Sequence, residues 1–119
     1  MDLQGVFPIL PTPFDDAGQV DEGSIRRLID FELAVGVHGV SVLGFMGEAH
    51  RLSNEERRLV VSTAVGQAAG AFPTWVGVLA FGAAGAIEQG LEAQELGAAG
   101  VFVAPLGVQN DEAIFDYYA

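Results

Sequence analysis

Short apolar stretches recur about every thirty residues along this chain, which is the length of one βα unit. They cover residues 6–10, 39–43, 74–79 and 100–104, and each is rich in β-branched residues. Their hydrophobicity is nearly continuous rather than alternating, as is typical of strands buried on both faces of a parallel sheet. The spacing therefore predicts an α/β fold built from parallel βα units.

Helical patterns fill the intervals between these stretches. The first has Asp21 as its expected N-cap and Gly36 as its expected end. The second begins at Ser53, whose hydroxyl can accept from the Glu56 N–H while the Glu56 carboxylate accepts from the Ser53 N–H. This reciprocal arrangement is a capping box. Two weaker helical patterns cover residues 84–96 and 111–118.

Two architectures use this alternation, the open doubly wound sheet and the (β/α)8 barrel, which typically needs ~250 residues. A length of 119 residues allows a complete doubly wound domain but no complete barrel. No G-x-x-x-x-G-K-[ST] motif occurs, and Gly77, Gly82 and Gly85 are not spaced as G-x-G-x-x-G. We therefore expect residues 1–119 to be the N-terminal part of a single barrel domain, with its first four strands, that stops within the fourth helix.

Composition excludes several classes of function. The chain has 16 acidic side chains, five arginines and a formal net charge of -11, so we expect neither nucleic acid nor a membrane surface as a partner. It contains no cysteine, which excludes a disulfide or a thiolate nucleophile, and no lysine, which excludes a Schiff base formed by these residues. No targeting or spanning segment and no cofactor motif is visible, so we expect a cytoplasmic location and no cofactor.

The segment after the second predicted strand is the strongest candidate for a binding site, since parallel α/β folds bind ligands at the carboxyl ends of strands. Gly44 and Gly47 would allow a tight turn that brings successive N–H groups toward a carboxylate. An ordinary turn that merely needs glycine is the alternative. Glu48 and His50 could form a metal pair or an acid/base pair, but two ligands do not make a metal site, so none is predicted. We expect Glu48 to hold the turn.

Several segments of the sequence resemble the dihydrodipicolinate synthase and N-acetylneuraminate lyase family. The resemblance lies in residues 5–14, in the loop Gly44-Phe45-Met46-Gly47-Glu48 before the capped helix, and in residues 97–100 with Pro105. It covers essentially all 119 residues in order. It implies a (β/α)8 barrel, commonly a homotetramer, that acts on pyruvate or a related 2-oxo acid through a lysine Schiff base.

The resemblance also shows where this chain departs from the family pattern. Phe45 and Met46 occupy the positions of a Thr-Thr pair that holds the substrate carboxylate, so the main-chain donors remain and the hydroxyls are lost. Leu106 and Gly107 stand where many members have a Tyr-Tyr pair. The family's Schiff-base lysine comes from a later strand, so no catalytic residue is expected among these 119.

The resemblance thus predicts the N-terminal half of a divergent class I lyase or aldolase. Its substrate carboxylate would be bound by Gly44, Phe45, Met46 and Gly47, with Glu48 behind them. Two alternatives stay open. One is a barrel that lost catalysis and was retained as a binding or regulatory protein, and the other is a self-contained flavodoxin-like ligand binder.

Overall fold

Helices and parallel strands alternate along the chain in the computed structural model, which describes residues 3–107 and 110–119. A three-stranded sheet has its strands side by side in sequence order, and both strand pairs are parallel. The predicted parallel βα order is therefore confirmed. In chain order the elements are helix α1 (Glu22–Val35), strand β1 (Val40–Val42), a 3₁₀ helix (Ala49–Arg51), α2 (Asn54–Ala68), β2 (Thr74–Ala80), α3 (Ala83–Glu95), β3 (Gly100–Pro105) and α4 (Asp111–Tyr118).

The first predicted strand, residues 6–10, runs beside β1 but is not a regular strand. It makes one parallel bridge, between Ile9 and Ser41. The Ser41 N–H donates to the Pro8 carbonyl at 2.9 Å, and the Leu10 N–H donates to the Ser41 carbonyl at 2.8 Å. Proline has no N–H to add to a ladder, which helps to explain the broken pairing. The prediction of four regular strands was wrong in this respect, although the direction and neighbour of the first were right.

The second strand is shorter than predicted, because β1 ends at Val42 rather than at residue 43. Leu43 has φ 60°, in the left-handed region that non-glycine residues seldom adopt, and this conformation ends the strand. Its side chain is 1% exposed, so burial in the core holds the residue in that conformation. The two later strands extend one residue beyond their predicted ends, to Ala80 and Pro105.

The core lies between the sheet and the helices. Val40, Val42, Val76 and Val78 are at most 2% exposed, and the first three belong to one apolar cluster with residues of α1, α2 and α3. Side chains of successive residues alternate across a strand, so Ser41 and Trp75 lie on the opposite face of the sheet. The valines thus mark the face of β1 and β2 that the helices cover.

Both helix-start predictions are confirmed at the level of single hydrogen bonds. The Asp21 carboxylate accepts from the Ser24 hydroxyl at 2.7 Å and from the Ser24 N–H at 3.0 Å, and these bonds lower the pKa of the Asp21 carboxyl. The Ser53 capping box is present, with the Ser53 N–H 2.9 Å from the Glu56 carboxylate. Gly36, at φ 81°, ends α1 as expected.

One buried cation connects two helices to the sheet. Arg57 of α2 is 6% exposed, and its Nη2 donates at 3.0 Å both to the Gly77 carbonyl and to Gln89 Oε1 of α3. The Gln89 amide also bonds both the N–H and the carbonyl of Leu79. Burial lowers the pKa of the Arg57 guanidinium, and the Glu92 carboxylate opposes part of that change. This network holds β2 in register beneath α2 and α3.

We predict opposite effects of the same substitution at two glycines. A Cβ atom at Gly77 would overlap the Leu43 carbonyl, whereas Gly66 is an exposed position inside α2 with no heavy atom within 4 Å. Gly77→Ala should lower the free energy of unfolding by about 2 kcal/mol or more through overpacking. Gly66→Ala should raise it by ~0.5–1 kcal/mol. Urea unfolding of the whole protein measures both, and equal shifts would contradict the close approach at Gly77.

Candidate functional site

The segment that follows β1 forms two overlapping turns. The Gly47 N–H donates to the Gly44 carbonyl at 3.1 Å, and the Glu48 N–H donates to the Phe45 carbonyl at 3.0 Å. Within residues 3–107 and 110–119, the N–H groups of Phe45 and Met46 have no hydrogen-bond acceptor. Consecutive N–H groups at the start of a helical turn are well suited to bind an anion. The candidate site therefore offers two main-chain donors at the carboxyl edge of the sheet.

Gly44 and Gly47 serve this turn differently from the sequence expectation. Among the described residues, left-handed backbone in this segment occurs at Leu43 (φ 60°) and Glu48 (φ 54°), not at either glycine. Instead, other atoms come close to both glycines. A Cβ atom at Gly44 would lie 3.1 Å from Ile9 Cγ2, and one at Gly47 would lie 3.1 Å from the Leu43 nitrogen. Glycine at these two positions therefore allows the turn to pack closely against residues 9–10 and 43 because it has no side chain, not because it adopts a left-handed backbone.

Thr12 is a site residue for which the sequence analysis assigned no role. Its hydroxyl donates to the Gly47 carbonyl at 2.6 Å, and the residue is 6% exposed. Thr12 follows the first extended segment, so this bond joins two neighbouring carboxyl ends. Its position between Pro11 and Pro13, just after a predicted strand, was the available signal.

Glu48, His50 and Arg51 do not form a catalytic cluster in this structure. The Glu48 carboxylate lies 3.7 Å from Arg51 Nη1, and both side chains are substantially exposed, so the pair contributes little stability. Glu48 supports the turn through its backbone, since its carbonyl accepts the Arg51 N–H at 2.9 Å. The His50 ring centroid is 6.4 Å from that of Phe45. The described part of the chain has no group of three or more potential metal ligands.

An exposed apolar side chain follows β2, and two tyrosines of α4 form hydrogen bonds with carbonyls of β2 and β3. Phe81, directly after β2, is 79% exposed, and its ring approaches the turn that follows β3. The Tyr117 hydroxyl donates to the Ala80 carbonyl at 2.8 Å, and the Tyr118 hydroxyl donates to the Val103 carbonyl at 2.8 Å. Desolvation, with a smaller effect of Tyr118, raises the pKa of Tyr117. Tyr117 thus anchors α4 to the end of β2, and Tyr118 anchors it to β3.

A cavity opens on the face of the sheet that the helices do not cover. It has a volume of about 540 Å³, and the indole Nε1 of Trp75 has no partner within the described part of the chain. Ligand sites of parallel α/β folds lie at the carboxyl ends of strands, and the lining of this cavity includes none of the turn residues 44–48. Its lining residues are Leu3, Gly5, Phe7, Ile9, Ser41, Trp75, Val101 and Phe102.

No helix in the described ranges is both long and apolar enough to span a bilayer.

Comparison with known proteins assigns this arrangement to a family. A family model described as the dihydrodipicolinate synthetase family matches residues 2–118. The 4-hydroxy-tetrahydrodipicolinate synthase of Protochlamydia amoebophila is 36% identical over 120 residues, a match that covers 99% of this chain and 40% of that protein. The L-2-keto-3-deoxyarabonate dehydratase of Azospirillum brasilense is 32% identical over 121 residues, covering 98% of this chain and 39% of that protein.

A solved structure shares the fold. It is described as the chloride-inhibited dihydrodipicolinate synthase from Acinetobacter baumannii complexed with pyruvate, and it superposes with a TM-score of 0.93 at 28% identity. The match covers 98% of this chain and 41% of that one, so the chain spans about two fifths of the length of its relatives. The predicted fold class, the first βα units of a (β/α)8 barrel, is confirmed. The flavodoxin-like alternative was wrong.

We predict that Thr12 fixes the turn through its hydroxyl. Thr12→Val keeps the shape of the side chain but leaves the buried Gly47 carbonyl without its donor, which costs about 1–3 kcal/mol. Thr12→Ser keeps the hydroxyl and should cost less. Thermal unfolding of the whole protein compares the two variants. A Thr12→Val protein as stable as Thr12→Ser would show that the bond does not hold the turn.

Proposed function

The chain belongs to the dihydrodipicolinate synthetase family, and on that premise we propose that the whole protein is a lyase or aldolase acting on pyruvate or a related small 2-oxo acid. One observation carries the proposal: the N–H groups of Phe45 and Met46 lie without acceptors, among the described residues, at the carboxyl edge of the sheet. The acid's carboxylate is the group that these donors fit.

The main chain alone is sufficient to hold that carboxylate. A hydrogen bond to a charged group contributes roughly 1.5–3 kcal/mol, so two such bonds orient a small acid without help from threonine hydroxyls. Gly44 and Gly47 provide the space in which the turn forms, and the Thr12 hydroxyl and the Glu48 backbone hold its shape. These residues bind and orient the substrate, and they move no proton.

The covalent chemistry is proposed to come from a lysine outside these 119 residues, because the chain itself has no lysine. In a Schiff-base lyase, the lysine amine condenses with the C2 carbonyl of the 2-oxo acid to form an imine, and water is lost. The solved relative described as complexed with pyruvate supports this substrate class. No cofactor or metal is part of the proposal.

A second candidate function is a barrel that binds a small acid without turning it over. Two departures from the family pattern favour it: Phe45 and Met46 replace the Thr-Thr pair, and Leu106 and Gly107 replace the Tyr-Tyr pair. Both changes remove hydroxyls that would relay protons. Binding through the main-chain donors would survive them.

We also propose that the whole protein is a cytoplasmic homo-oligomer whose partner is its small acid substrate. Oligomer formation is implied by the family resemblance. The net charge of -11 disfavours nucleic acid and anionic membranes as partners.

Borohydride trapping separates the two candidate functions. Incubation of the whole protein with pyruvate and borohydride should leave a covalently modified lysine, because reduction converts the imine to a stable secondary amine. Intact-mass spectrometry detects the adduct, and protein treated with borohydride alone is the control. A folded protein that binds pyruvate but yields no adduct would support the non-catalytic barrel instead.

Gly47→Val should abolish 2-oxo acid binding. Valine at this position would meet the Leu43 nitrogen and the Leu10 carbonyl, at 3.1 and 3.3 Å from its Cβ, so the turn would have to move. Losing both hydrogen bonds to the carboxylate should weaken binding at least about a hundredfold. Isothermal titration with pyruvate measures this, with Gly66→Ala as the control. Unchanged affinity in Gly47→Val would mean that the turn is not the carboxylate site.

A further inference from the structure

Large apolar side chains stand at the same edge of the sheet as the unpaired N–H groups. Phe45 and Met46, in the turn after β1, are 61% and 68% exposed, and Phe81, directly after β2, is 79% exposed. Strands β1 and β2 are parallel and hydrogen-bonded to each other, so their carboxyl ends lie side by side. Within these 119 residues, which span about two fifths of the relatives' length, exposed apolar side chains at neighbouring strand ends are available to contact a ligand. We call these three side chains the apolar rim.

The sheet directly beneath the turn is apolar as well. A Cβ atom at Gly44 would lie 3.1 Å from Ile9 Cγ2 and 3.5 Å from the Phe102 ring. The same ring would lie 3.0 Å from a Cβ atom at Gly77, so it crosses from β3 over β2 toward the turn. Phe102 and Ile9 therefore form an apolar floor against which the turn rests.

The Thr12 hydroxyl, which is buried against the turn, already donates to the Gly47 carbonyl. His50 and Arg51 follow the turn in the 3₁₀ helix, where the Arg51 guanidinium lies 3.7 Å from the Glu48 carboxylate. Phe45 and Met46, whose N–H groups lack an acceptor among the described residues, thus place exposed apolar side chains beside those two main-chain donors. A polyhydroxylated substrate needs several hydrogen-bond partners to replace the water that it loses.

From this arrangement we infer that the protein selects 2-oxo acids whose group beyond the carboxylate and carbonyl is apolar, of the aromatic or branched aliphatic kind. The inference rests on the proposed function, since it takes the turn as the place where the carboxylate binds. The rim and the floor would enclose the apolar group, and its burial would provide the preference over sugar-like acids. Phe45, Met46 and Phe81 are the specificity-determining side chains.

Isothermal titration of the whole protein compares phenylpyruvate with a polyhydroxylated 2-oxo acid of similar length. We expect phenylpyruvate to bind at least about tenfold more tightly, in line with the discrimination that apolar pockets achieve. Phe45→Thr and Phe81→Ser should each reduce that ratio about fivefold or more. Phe31→Ser is the matched control, because Phe31 is 59% exposed on α1, away from the strand ends, and should leave the ratio unchanged.

Two outcomes overturn the inference: a ratio of one or less, or a ratio that neither rim variant changes. Pyruvate trapping is measured in parallel on the unsubstituted protein. An adduct without a preference for phenylpyruvate would refute the apolar specificity and leave the proposed function standing. A preference that rim variants remove, without any adduct, would support the specificity and refute the catalytic proposal.

Discussion

The contact between the Leu43 backbone and Gly77 is the constraint on which the rest of this structure depends. The Leu43 carbonyl occupies the space that a side chain at position 77 would need, so the chain leaves β1 pressed against β2. Leu43 reaches this position in a left-handed conformation that costs free energy, and the burial of its side chain offsets the cost. Arg57, a residue of α2, reinforces the contact because its guanidinium donates a hydrogen bond to the Gly77 carbonyl. This contact sets the direction of the turn that follows β1, and with it the direction of the Phe45 and Met46 N–H groups.

The parts of the fold that local rules decide could be predicted from the sequence. The capping box at Ser53 and the left-handed end at Gly36 depend on residues within one helical turn, and both appear as expected. Leu43 and Glu48 could not be foreseen, because no local preference favours left-handed backbone at leucine or glutamate. The irregular first strand was missed for a related reason: the continuous apolar pattern outweighed the effect of Pro8.

The candidate site likewise combines features that the local sequence indicates with features that depend on tertiary contacts. The glycines at 44 and 47 indicated a special turn, but the reason for them lies in distant atoms of Ile9 and Leu10, which only the tertiary structure places nearby. Thr12 could not be identified as a site residue from the sequence, because its hydrogen bond to the Gly47 carbonyl joins residues 35 positions apart. A site held by buried neighbours and lined by backbone donors tolerates changes in its exposed side chains. The turn forms here with Phe45 and Met46 at the positions where the family resemblance implies threonines.

We propose that main-chain N–H groups, rather than side chains, hold the substrate carboxylate. A crystal structure of the whole protein with a bound 2-oxo acid tests this most directly. We predict carboxylate oxygens at ~2.7–3.1 Å from the nitrogens of Phe45 and Met46, with the Thr12 bond to the Gly47 carbonyl intact. An acid bound with its carboxylate on another strand end, and with both of these nitrogens without a partner, would contradict it.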